Sequence, residues 1–85
     1  MRVLLIASFD EQAKCFGRPS CFATEGLAVR AFTEEVNRKS DDNALNKYPR
    51  DFSLWTLGVY DDETGVVELD KRKLVDAYTL LVNDE

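Results

Sequence analysis

The sequence predicts an α+β domain, a small antiparallel sheet of three or four strands with one helix packed across it. Three features carry that expectation. A β-rich apolar run opens the chain at residues 2–9, and apolar residues recur every four positions between Thr24 and Arg38. Two β-rich segments then flank the turn sequence Asp61-Asp62-Glu63-Thr64-Gly65. The order is strand, helix, strand, strand, followed by a C-terminal element that the pattern leaves open. The 85 residues have room for one domain and one modest core, so residues 1–85 are read as a single unit.

The opening segment Arg2–Phe9 is apolar on both faces, as a central or well-covered strand would be, and Asp10-Glu11 ends it. Gly17, Pro19 and Ser20 mark the next dozen residues as a loop, which Phe16 and Phe22 would pin to the body. Thr24 suits a helix N-cap, with Glu25 in the first turn where the dipole favours an anion. Ala28, Phe32 and Val36 form the stripe of that helix, with Leu27, Val29 and Ala31 beside it. It runs to about Arg38, where Arg38 and Lys39 match the C-terminal end of the dipole. Residues 40–51 are polar and hold Asn43, Asn46 and Pro49, which predicts a long loop. Phe52–Tyr60 reads as a covered strand, with Phe52, Leu54, Thr56 and Tyr60 on one face and Trp55, Leu57 and Val59 on the other. Gly65 supplies the positive φ of a hairpin turn, and Val66–Leu69 pairs back. Residues 71–82 fit either an edge strand or a helix. Leu74, Val75, Tyr78, Leu81 and Val82 make a helical face, but Lys71-Arg72-Lys73 would oppose the dipole of a first turn.

A hydrophobic fraction of 45% with 11% aromatic residues is too apolar for a disordered chain. The run Val3–Ala7 is too short for a membrane span and lacks a signal-peptide cleavage site, so residence in a cytoplasm is expected. The net charge of −5 is uneven. Seven basic and five acidic residues lie between Gln12 and Arg50, whereas three basic and nine acidic residues lie between Asp51 and Glu85. A polyanion should therefore meet the first half of the chain.

No enzyme, cofactor or metal site is expected. The sequence has no histidine, which closes the mechanisms that lean on imidazole and leaves too few ligands for zinc. Cys15 and Cys21 could form a disulfide, but a reducing compartment favours free thiols. Glu34-Glu35, Asp41-Asp42 and Asp61-Asp62-Glu63 read as solvated charge rather than as converging catalytic carboxylates. The four glycines are scattered and make no phosphate cradle.

Nucleic-acid binding remains open on this composition. Single-strand binders set cations, which follow phosphates, beside aromatic rings on which bases stack. The candidates are Arg18, Arg30, Arg38, Lys39, Lys47, Tyr48 and Arg50, with Phe16 and Phe22 among them. The alternative is that the rings pack loops onto the sheet and the cations keep the surface soluble. Trp55 is read as a core or interface residue.

One ordered set of segments resembles a known family. Phe22-Ala23-Thr24, Ala28-Val29-Arg30-Ala31-Phe32 and Val36-Asn37 precede the polar loop. Pro49-Arg50-Asp51-Phe52-Ser53-Leu54, Leu57-Gly58-Val59-Tyr60-Asp61-Asp62 and Thr64-Gly65 follow it. Together they resemble the small nonstructural protein of microviruses, the single-stranded DNA phages, and especially its gokushovirus branch. The resemblance implies a phage protein made in the bacterial host cytoplasm, with a role in genome replication or in packaging of single-stranded DNA. Arg30 and Asn37 fall on matching positions and would be natural phosphate or base contacts. They could equally be structural, Arg30 pairing with Glu34 and Asn37 helping to end the helix. The expected function is non-enzymatic single-stranded DNA binding through the Arg18–Arg50 half. The alternative is an interaction module for a phage or host protein that never contacts DNA. A second apolar sheet face around Trp55, Leu57 and Val59 also suggests a homodimer.

Overall fold

The sheet is built on β1 (Arg2–Asp10), the apolar opening segment. One edge of β1 pairs antiparallel with β4 (Phe52–Asp61) along its full length, from Arg2 opposite Asp61 to Asp10 opposite Phe52. Its other edge is shared by two short strands, β2 (Cys15–Phe16) and β3 (Ser20–Phe22). β5 (Val67–Asp76) adds to β4, giving a five-stranded sheet in the order β2-β1-β4-β5, with β3 also on β1. The structure, a computed structural model, describes residues 1–82.

Helix α1 (Glu25–Asn37) lies across one face of this sheet, and the Thr24 hydroxyl accepts the Leu27 N–H at its N-terminus. Its stripe of Ala28, Phe32 and Val36 meets Ile6 of β1 and Leu54 of β4, with Ala77 closing the buried cluster. Half-buried Leu4, Phe22, Leu45 and Leu74 pack around that centre. The α+β class, with one main helix on an antiparallel sheet, is thus the one expected.

Three segments differ from expectation in detail. The stretch after β1 is an edge hairpin with two short strands rather than a plain loop. Gly17 and Pro19 break the returning segment into β2 and β3, each of which pairs with β1. This raises the strand count from the expected three or four to five. The polar stretch before β4 contains a single-turn helix, α2 (Ala44–Lys47), and a 3-10 turn at Pro49–Asp51. Asn43 is responsible for the first. Its Oδ1 accepts the Leu45 N–H, while its Nδ2 donates to the carbonyls of Glu35 and Arg38, so one buried side chain ends α1 and begins α2. Finally, β5 continues through Lys71-Arg72-Lys73 to Asp76, and Ala77–Leu80 is a 3-10 turn. Residues 71–82 are therefore strand and then turn. The three cations suit an edge strand, where charge discourages pairing with another chain.

A bulge decides which residues face which way. Ile6 pairs with Thr56 but Leu5 pairs with Gly58, so Leu57 is an extra residue in β4. Beyond it the alternation slips by one. Val59 comes opposite Leu4 on the helix side, and Tyr60 comes opposite Val3 on the other, which reverses the faces that simple alternation assigned to them. Gly58 is required here because β5 passes close above it, and a Cβ would run into the Glu68 carbonyl oxygen. Gly58→Ala should therefore cost about 1–3 kcal/mol in urea unfolding, through backbone displacement of β5. Thr56 is fully buried, and its hydroxyl finds no partner among the described residues. Thr56→Val, which keeps the shape and removes that oxygen, should raise the unfolding free energy by about 1 kcal/mol in the same assay.

Candidate functional site

The seven cationic and aromatic residues singled out by the sequence fall into separate places. Arg18 sits on the β2–β3 connection, at the mouth of an open groove of about 220 Å³ between α1 and the sheet that Glu35 also lines. Arg30 is on the exposed side of α1, and no ion pair with Glu34 forms among the described residues. Arg38 is committed: it meets the Glu35 carboxylate at 2.7 Å through Nη2 and at 3.1 Å through Nε, and Asp42 lies 3.7 Å away. Lys39 follows at the exposed end of the helix. Asn37 is likewise used structurally. It donates to the carbonyls of Thr33 and Leu80 and accepts the Val82 N–H, tying the C-terminal turn to α1.

Lys47, Tyr48 and Arg50 do come together. The end of α2 and the 3-10 turn after it place them, with Pro49 and Asp51, around a depression of about 290 Å³. Pro49 opens that turn with its φ preset, which keeps Tyr48 at the corner. Tyr48 is 57% exposed, the most open aromatic ring among the described residues. Arg50 lies over the Tyr78 ring, 4.7 Å from its centroid, in a cation–π contact that holds the guanidinium at the surface. Lys47 Nζ donates to the Asp41 carbonyl, at a long 3.4 Å.

A second constellation occupies the sheet face opposite α1. Ala7 pairs with Trp55 and Phe9 with Phe16, so β1, β2 and β4 bring three rings together. The Phe9 and Phe16 centroids are 4.8 Å apart, and Phe16 meets Trp55 edge-on at 5.8 Å across the small side chain of Ala7. The indole N–H donates to the Ser53 hydroxyl at 2.8 Å, which fixes the ring. Lys71 reaches over from β5, its ammonium 5.2 Å from the Phe16 centroid and 5.8 Å from that of Trp55. Sequence reasoning read Phe16 both as a loop pin and as a candidate stacking ring, took Trp55 as a core or interface residue, and left Lys71 in a segment open between strand and helix. The available signal was the alternation Val67, Leu69, Lys71, Lys73, which as a strand beside Trp55 lays both lysines on its face.

The rest of the surface offers little chemistry. Among the described residues no cluster of three or more Cys, Asp or Glu could hold a metal ion, and no helix is long and apolar enough to cross a membrane. Cys15 and Cys21 are exposed and unbridged.

These features define a small α+β protein that presents rings and cations on open surfaces. Its family can be given: a model described as the phage ORF5 protein matches residues 3–80, and the chain belongs to that phage protein family. No curated protein and no solved structure matches it.

The Glu35–Arg38 pair provides a check on the site's electrostatics. The Arg38 hydrogen bonds, followed by its charge, hold the Glu35 carboxyl below the ordinary glutamate range. With a depressed folded value, the pair's contribution is present above the unfolded glutamate pKa and is lost as pH falls through the folded one. Carboxyl NMR titration should show Glu35 returning to an ordinary glutamate value in Arg38→Ala.

Proposed function

We propose that this chain is a non-enzymatic accessory protein of a microvirus-type single-stranded DNA phage, of the gokushovirus kind. It acts in the bacterial host cytoplasm, in genome replication or packaging, by binding single-stranded DNA. The observation that carries the reading is Tyr48, exposed at a corner between Lys47 and Arg50. A ring open to solvent between two cations is what a single strand requires, since the base stacks on the ring while its phosphates meet the charges. Membership of a phage family and the ordered resemblance to the microvirus nonstructural protein support the setting.

A second reading rests on a different observation. Leu69 is 89% exposed and Val67 is 44% exposed on the edge strand, which favours an apolar contact with a second copy or with a phage or host protein. The two readings separate in a titration with single- and double-stranded DNA at several salt concentrations, followed by anisotropy. DNA binding should favour the single strand and weaken with salt. Neutralising Lys47 and Arg50 together (K47Q/R50Q) should make the logarithmic salt slope shallower by about 0.7 for each phosphate that the protein no longer neutralises. Absence of binding to either form at low salt would leave the protein-partner reading in its place.

A further inference from the structure

We infer that the helix-free face of the sheet is a second contact surface for single-stranded nucleic acid, on which a base stacks against Trp55 and Phe16 while Lys71 takes the adjoining phosphate. The inference rests on the reading that this chain binds single-stranded DNA, and it adds a site remote in sequence from Lys47–Arg50. The Phe16 and Trp55 planes stand at 84° to one another, and the Lys71 ammonium occupies the corner they make. A flat aromatic ligand entering that corner stacks on one ring and meets the edge of the other. Lys71 has no carboxylate partner among the described residues, unlike Lys73, which shares its charge with Asp76 at 3.2 Å. Its long side chain is exposed and can swing from the rings to a phosphate without breaking an ion pair. Tyr60, opposite Val3 and Val67, puts a further ring on the same face about 15 Å along β4 from Trp55.

Charge complementarity selects the occupant. Against an apolar partner, the ammonium over two rings would be buried with no counter-charge, which is costly. A polyanion supplies that charge directly.

The test uses the intact protein and an end-labelled oligothymidylate, following anisotropy and the emission of Trp55, the chain's one tryptophan, in the same titration. Trp55 emission should be quenched in step with the rise in anisotropy. Lys71→Glu, at an exposed position that leaves the core intact, should weaken binding about tenfold. If anisotropy rises while Trp55 emission and the K71E affinity stay as in the wild type, the strand lies elsewhere. The sheet-face site is then wrong and the DNA-binding reading stands. No rise in anisotropy at low salt removes both. Trp55 emission that changes with protein concentration in the absence of DNA would mean that a second copy covers the face, and that also overturns the inference.

Discussion

One helix can cover only one face of a sheet, and the arrangement of this molecule follows from that. α1 has 13 residues and so spans roughly 20 Å, enough to lie across β1, β4 and the C-terminal half of β5 on one side. All the fully buried apolar side chains of the central cluster belong to that side or to Ala77 beneath the final turn. The opposite face has no second helix among the described residues, yet its strands are still apolar. The chain deals with it locally. Ala7 leaves space, three aromatic rings fold over it, and a lysine from the edge strand covers the rings. Rings packed edge to face lose less to water exposure than separated ones would, because each shields part of its neighbour. The face is therefore stable enough to remain open while still presenting apolar surface.

The register of β4 makes this division possible. Had β4 paired on from Thr56 without the bulge, Val59 would fall opposite Val3 on the open side and Tyr60 opposite Arg2 on the helix side. The bulge is sustained by Gly58, whose missing side chain lets the Glu68 carbonyl approach. On the helix side, the closing turns depend on asparagine. Asn43 and Asn46 donate to the carbonyls of Glu35, Arg38 and Val36 at the end of α1, where intrahelical donors run out, and Asn37 links the Thr33 carbonyl to that of Leu80. A charge on a last-turn side chain would have interacted with the same dipole less directionally. The carboxylate of Glu35 instead holds Arg38 outside the helix end.

How much of this could be read from the sequence depended on whether a signal was local. The four-residue spacing of Ala28, Phe32 and Val36, and the cap at Thr24, are properties of one segment, and they located α1 to within a residue. The strands of the hairpin around Gly65 were equally local. What could not be read was set by pairing. Cys15–Phe16 and Ser20–Phe22 are strands only because β1 offers them an edge. Leu57 is a bulge only because its neighbours align with both β1 and β5. The continuous β5 was obscured by Lys71-Arg72-Lys73, a charge run that argues against a helix start but says nothing about which strand lies alongside. The candidate site divided in the same way. Lys47, Tyr48 and Arg50 are nearly consecutive, so their convergence was foreseeable. Phe9, Phe16, Trp55 and Lys71 come from four strands and meet only through the register.

The charge distribution constrains how any such surface could work. At −5 the molecule repels a polyanion within a Debye length of about 8 Å at physiological salt and is screened from it beyond, so it gains nothing from long-range attraction. Attraction must arise at contact, from a few cations that are not already neutralised by neighbours. Arg38 is engaged by Glu35, Arg72 by Asp70 and Glu25, and Lys73 by Asp76, which removes them as strong phosphate ligands. Arg50 and Lys71 are different, because each stands over an aromatic ring, and Lys47 reaches only the Asp41 backbone carbonyl; none of the three forms an ion pair among the described residues. With so few charges available, stacking would have to supply much of the affinity of the proposed complex. Stacking needs unpaired bases, so a duplex would present the same repulsion without the compensating contact. On the proposed reading, a net-acidic protein built in this way would discriminate between single and double strands through the very weakness of its electrostatics.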